Sequence, residues 1–364
     1  MNKVKLSELL EIKNGKTYFH LIEGDIPVYG SGGFMLCVNK HIYDGESILL
    51  PRKGTLDNIQ YVNGKFWTVD TIYYTKVSEH VNAYYLYNYL KLLNLSRLDS
   101  GSALPSMTQS SYYDLEINLP TKHIQDKTAN AIKSIDSKIE LNNKINTELE
   151  AMAKTLYDYW FVQFDFPNAE GKPYKSSGGK MVWSEELKRW IPEGWEVGGL
   201  GNILNLEYGK PMKNEDRSGS GYPVLGSNGI VGYHKEYLVE GPGVVVGRKG
   251  TAGAIVWVED NFYPIDTTFY VKDILGVNQL FFHYLLLLRS DIKQGESSSA
   301  VPGLNRNFAH SVNVVIPEIS LINNFNIIVE PFFSKIKMCN KESQILKELR
   351  DWLLPMLMNG QVKV

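Results

Sequence analysis

The chain has 364 residues, 43% of them hydrophobic and 21% charged, with a formal net charge of −2. That composition excludes a mainly disordered chain, and the length favours two globular units over one. A pI near 6.4 excludes a histone-like, strongly basic nucleic-acid binder while leaving room for a local basic cleft. The densest apolar stretch, LFFHYLLLL at 280–288, is far short of the ~20 residues of a membrane span, so no membrane association is expected. The opening MNKVKLSELLEIK reaches Ser7 and Glu8 before any apolar run forms, unlike a signal peptide. Two cysteines, Cys37 and Cys339, support neither a disulfide framework nor a zinc site, and the expected location is cytoplasmic.

In chain order, a short helix-like stretch leads into KNGKT at 13–17, followed by IPVYGSGG at 26–33 and LLPRKGT at 49–55. WTVDTIYY at 67–74 precedes an Asn-initiated helix, NAYYLYNYLKLL at 82–93. SALPSM at 102–107 and an alternating strand ending in proline, LEINLP at 115–120, close the first set. Every one of these strings returns about 196 residues later, in the same order. The counterparts are EYGKP at 207–211, YPVLGSNG at 222–229, VVGRKGT at 245–251, YPIDTTFY at 263–270, NQLFFHYLLLLR at 278–289, SAVPGL at 299–304 and VNVVIP at 312–317. Seven ordered matches at a near-constant offset define a tandem duplication. The period exceeds the ~20–50 residues of solenoid units, so each copy is a domain. Short β-rich runs between Gly, Asn and Pro turns, with one central helix, predict a small α/β (α+β) domain with a mixed or antiparallel sheet.

After each closing proline the pattern turns helical. From His123 to about Trp160, residues Ile132, Ile135, Ile139, Leu149, Leu156 and Trp160 follow the 3-4 alternation of a coiled-coil seam, with Asn142 and Asn146 at its middle. About 38 helical residues would be roughly 57 Å long, and a helix with one apolar stripe needs a partner. The second copy supplies one, with Val329, Phe332, Ile336, Leu346, Leu353 and Leu357, although Pro331 is expected to kink or restart it. Antiparallel packing is the simpler arrangement and makes the repeat imitate a C2 dimer. Parallel packing needs a connection along the whole rod, which residues 165–199 are long enough to provide. The expected division is a first domain at 1–121, a long helix at 122–164, an exposed linker at 165–196, a second domain at 197–317 and a closing helix at 318–364.

WFVQFDFP followed by GKPYKSSGGKMVWSEELKRWIPEGWEV resembles the connector in specificity subunits of type I restriction-modification systems. The resemblance extends over nearly the whole chain, through the GSGG and RKGT strings, the two helices and the final LRDWLLPMLMNGQVKV. It implies two target recognition domains, each reading one half of a split DNA sequence, separated by two long antiparallel coiled-coil helices that set the unread spacer. It also implies docking of two methyltransferase subunits, which carry S-adenosylmethionine and methylate adenine N6. Translocase-nuclease (restriction) subunits using ATP and Mg would join them on the same double-stranded DNA, and no cofactor is expected in this chain. Because the halves differ in sequence, the target should be split but not palindromic, with half-sites centred about one helical turn, ~34–36 Å, apart.

Arg52-Lys53-Gly54-Thr55 and Arg248-Lys249-Gly250-Thr251 are the leading DNA-contact candidates. A loop cation beside glycine lets backbone approach phosphate, and arginine matches the O6/N7 edge of guanine. The plain alternative is a solvated turn. Ser31 and Gly32, with Ser227 and Asn228, lie in glycine-rich strings that form either phosphate cradles or tight hairpins. NGKT at 14–17 lacks the first glycine of a P-loop, since Leu10 stands there, which leaves Lys16 and Lys210 as phosphate contacts only. Arg97 and Arg306, in the late loops of their halves, complete the set. The 22 tyrosines are expected mostly in the core, the seven histidines are given no role, and the repeated Asp70 and Asp266 read as structural. No methyltransferase tetrapeptide, methyl-donor loop, Walker motif or HExxH is present, so chemistry is expected from partners. Two other readings are a methyltransferase-binding scaffold or decoy without DNA direction, and a nucleotide-dependent enzyme acting through NGKT.

Overall fold

A computed structural model describes residues 2–93, 95, 106–274, 280–292 and 303–362. The chain divides into two compact units. One comprises Met1–Asn142 with Lys341–Val364, and the other comprises Asn143–Asn340.

In the first unit a six-stranded mixed sheet runs in the order Leu10–Asn14, Ile72–Val77, Tyr43–Pro51, Gln60–Thr68, Ile26–Gly30 and Gly33–Val38. All neighbours are antiparallel except Ile26–Gly30 with Gln60–Thr68. The central strand carries the run Ile48, Leu49 and Leu50, fully buried because both its faces are covered. Strand Asn2–Lys5 pairs with Glu116–Leu119, joining the ends of the domain. Helix Ala83–Leu92 starts where the Asn82 side chain accepts the Tyr85 N–H at 2.9 Å, a cap of the expected kind. Its tyrosines pack rather than project: Tyr85 is buried, and Tyr84 and Tyr87 stand edge-on or tilted against Tyr61.

The second unit repeats this order. Leu204–Tyr208, Thr268–Asp273, Gly243–Gly247 and Ile255–Val258 form one sheet, and Gly229–His234, Tyr222–Gly226 and Tyr263–Pro264 form another. The long strand of the first copy is here two shorter ones, and the parallel pairing is kept between Tyr222–Gly226 and Tyr263–Pro264. Even the irregularity in the hairpin recurs, between Val28 and Tyr29 and between Val224 and Leu225. Helix Leu280–Arg289 matches Ala83–Leu92, while Asn278, expected to initiate it, lies outside the described residues.

Two long helices, Lys122–Tyr157 and Ile319–Met358, each contribute to both units. In the first unit Asp136 meets Arg350 at 2.8 Å while Asn142 donates to Glu342 at 2.8 Å and Ser343 at 3.2 Å. One helix ascends as the other descends, so they pair antiparallel. The second unit has the same sense, with Asn146 on Asn340 at 2.7 Å and Trp160 against Phe325. Ile132, Ile139, Trp160, Val329, Ile336 and Leu357 are buried, as the seam requires, and Asn142 and Asn146 are buried among them. Pro331 neither ends nor restarts the closing helix, which runs on through it and through Pro355. Packing of the apolar stripe outweighs the one backbone hydrogen bond each proline removes.

The exposed linker expected at 165–196 is also corrected. Phe164, Phe166, Ile191 and Trp195 are buried in the core of the second unit, and Phe166 stacks between Tyr174 and Trp195 at 4.7 and 5.0 Å. A hairpin, Met181–Ser184 with Arg189–Pro192, and the Asp165 carboxylate, which accepts the Ser176 N–H at 2.7 Å and its hydroxyl at 2.6 Å, fix the fold. The segment is rich in glycine, serine, lysine and proline, but the aromatics spaced between them supply a core.

Candidate nucleic-acid interface

Each half builds the same loop after its central strand. The Arg52 and Lys53 N–H groups both donate to the Thr71 carbonyl, at 2.9 and 3.2 Å, and the Arg52 guanidinium reaches the Asp70 carbonyl at 3.3 Å. In the second half Arg248 and Lys249 donate to the Thr267 carbonyl at 2.9 and 3.1 Å, and the Arg248 guanidinium donates to the Asp266 carbonyl at 2.9 Å. Asp70 and Asp266 thus serve through their backbone oxygens. Gly54 and Gly250 turn the chain at φ 87° and 83°, in the left-handed region that glycine enters freely. Lys53, Thr55, Lys249 and Thr251 are left exposed.

The glycine-rich strings are hairpins, and they pack beside these loops. A Cβ on Gly54 would lie 3.4 Å from the Ser31 hydroxyl, and one on Gly250 would lie 3.2 Å from that of Ser227. Asn58 donates to the Ser31 carbonyl at 2.7 Å, and Thr251 donates to the Asn228 side chain. Ser31, Gly32, Arg52, Lys53 and Thr55 therefore form one cluster, and Ser227, Asn228, Arg248, Lys249 and Thr251 form its copy.

Arg306 joins the second cluster. Its guanidinium and that of Arg248 lie 4.8 and 4.9 Å from the same Tyr208 ring. Tyr208 and, in the first half, Gln109 and Asn14 were not expected in the site from sequence. The signal available was their position, since Asn14 and Tyr208 occupy the same place in KNGKT and EYGKP. Arg97 lies outside the described residues. Lys16 and Lys210 are exposed, and no phosphate loop surrounds them. Their neighbours Gly15 and Gly209 are glycines because a Cβ would sit 1.9 Å from the Val69 carbonyl oxygen and 2.2 Å from that of Ile265.

Two of the other arginines are tied up by charge, while Arg189 and Arg217 lean on the Val162 and Val231 carbonyls. Arg289 and Arg350 are neutralised by Asp158 and by Asp136 with Asp351. Among the described residues, Arg52, Arg248 and Arg306 have no carboxylate partner and rest on backbone carbonyls or aromatic rings. Such groups keep their donors for an incoming anion or base edge. Among the described residues no cluster of metal-ligating side chains occurs, and no helix is long and apolar enough to cross a membrane.

Each half thus carries one such arginine loop on its own α/β domain. The family described as type I restriction modification DNA specificity domain matches residues 1–151 and 192–346, and the chain belongs to it. It is similar to the type I restriction enzyme MjaIX specificity subunit of Methanocaldococcus jannaschii, 26% identical over 307 residues, covering 77% of this chain and 69% of that one. It is also similar to the HindI specificity subunit of Haemophilus influenzae, 24% identical over 350 residues, covering 75% and 74%. The crystal structure of an S subunit from M. genitalium shares the fold, with a TM-score of 0.66 at 21% identity over 98% of this chain and 95% of that one. The chain is accordingly a non-catalytic component whose task is DNA sequence recognition.

Proposed function

We propose that the two halves each read one part of a split, asymmetric DNA target, with domains at 1–121 and 197–317 as readers. The helices at 122–164 and 318–364 then set the spacer between the half-sites. In this reading Arg52, Lys53, Thr55, Arg248, Lys249, Thr251 and Arg306 contact bases and phosphates. Ser31, Gly32, Ser227 and Asn228 line the same surface, and Lys16, Arg97 and Lys210 add phosphate contacts. Two methyltransferase subunits bearing S-adenosylmethionine dock on the helices and methylate adenine N6. Restriction subunits using ATP and Mg cleave unmethylated DNA, and the assembly works in the cytoplasm. Ile345, Leu349 and Trp352, exposed at 4- and 3-residue spacing on the closing helix, offer an apolar stripe for a helical partner.

The observation that carries the reading is the repeated arginine loop, with no carboxylate among the described residues to neutralise it. Arg52→Ala and Arg248→Ala in the assembled methyltransferase complex test it by DNA affinity. The expected result is about a 5- to 150-fold weaker binding of the cognate duplex for each. Unchanged affinity with an intact complex would support the scaffold reading instead. Heat on titrating ATP or S-adenosylmethionine into the lone chain would support the nucleotide-dependent one.

A further inference from the structure

Arg52-Lys53-Gly54-Thr55 and Arg248-Lys249-Gly250-Thr251 are identical and identically held, so this loop cannot by itself distinguish one half-site from the other. What differs stands beside it on a shared backbone frame. The Met107 N–H donates to the Arg52 carbonyl at 3.0 Å, and the Leu304 N–H donates to that of Arg248 at 2.8 Å. Two residues further on come Gln109 and Arg306, each opening a short helix behind a capping side chain, Thr108 or Asn305. Opposite them, Asn14 and Tyr208 end equivalent strands, in register with Tyr73 and Phe269. In the first half the pair is amide on amide, Gln109 Nε2 donating to Asn14 Oδ1 at 3.2 Å. In the second it is guanidinium on ring, Arg306 over Tyr208 at 4.8 Å.

We propose that this position is where the halves part in base preference, Gln109 on Asn14 selecting adenine and Arg306 on Tyr208 selecting guanine. The inference rests on the reading of both halves as DNA readers. Asn14 takes one hydrogen of the Gln109 amide, which leaves the second hydrogen for adenine N7 and the amide oxygen for the adenine N6 amino group. Guanine offers two acceptors at that edge and leaves the amide oxygen facing O6. Arg306 carries donors only and matches O6 and N7 of guanine, while adenine's amino group would oppose it. Tyr208 supports the guanidinium plane without neutralising it, which keeps the fork available.

The test uses the chain assembled with its methyltransferase subunits and a duplex pool in which both half-sites are randomised, with bound duplexes sequenced. Asn14→Tyr combined with Gln109→Arg is expected to switch one position of the first half-site from adenine to guanine, by roughly 5- to 150-fold in preference, with the second half-site unchanged. Gln109→Ala is expected to level the preference at that same position and keep the others, which covers the case of a double variant that does not assemble. An unaltered first half-site, or its collapse at every position in both variants, overturns the proposal. A wild-type pool with no split motif would instead refute the underlying reading of the halves.

Discussion

Gly15 and Gly209 show how a short motif is decided by the space around it. NGKT at 14–17 reads as a fragment of a phosphate loop, yet the glycine is there to let a carbonyl oxygen approach, at Val69 in one half and Ile265 in the other. Gly15→Ala is expected to destabilise the chain by about 1–3 kcal/mol, while Lys16→Ala changes stability by less than about 0.5 kcal/mol, both measurable by denaturant unfolding. Arg52 and Arg248 stand out as candidates in sequence because repetition marks them. Gln109 and Tyr208 do not, because repetition marks a position but gives no role to a side chain that differs between the copies. His283, one of seven scattered histidines, carries no spacing signal in the sequence. It is fully buried, neither ring nitrogen has a hydrogen-bond partner among the described residues, and burial pushes its pKa down to about 4 against the opposing Asp273 carboxylate. Between about pH 6.5 and 4 the unfolded chain takes up a proton that the folded chain refuses, so stability falls as pH drops through that window. His283→Phe should flatten the dependence, read as thermal midpoint against pH.

At the level of elements, the 3-4 stripe announced both long helices and their inward faces, because the period is a direct consequence of helix geometry. The antiparallel sense, the simpler arrangement from sequence, is fixed by cross-helix contacts. Arg350 bonds Asp136 on the facing helix, and the Tyr84 hydroxyl donates to the same carboxylate, tying the helix pair to the first domain. Both ends of the ion pair are about three-quarters covered, at 26% and 28% side-chain exposure, so its loss leaves a charge partly out of water. Arg350→Met should destabilise the first unit by about 1–3 kcal/mol, detectable as early hydrogen exchange in helix Ala83–Leu92. The segment at 165–196 misled because composition averages away the few aromatics that anchor it. On the exposed face of the closing helix, Trp352→Ala should reduce co-purification of the methyltransferase subunit and leave the thermal midpoint nearly unchanged, as expected of an exposed contact.

For the molecule as a whole, duplication was the most legible feature and charge the most puzzling. Residues 1–122 carry no net charge and residues 197–317 about −1, so counterion release gives the lone chain little non-specific affinity. The chain alone is expected to bind DNA weakly at physiological salt and tightly once methyltransferase subunits complete the positive clamp. Nanomolar binding by the isolated chain, followed by fluorescence anisotropy across a salt series, would contradict that. The central claim, two readers and a ruler, is tested most directly by a methylome. The chain is co-expressed with its methyltransferase subunit, N6-methyladenine is mapped by single-molecule sequencing, and the experiment is repeated with residues 197–317 exchanged for those of a relative. The account predicts a split motif with a fixed spacer in which the exchange alters one half only. A continuous motif, or one altered in both halves by a single exchange, would contradict it.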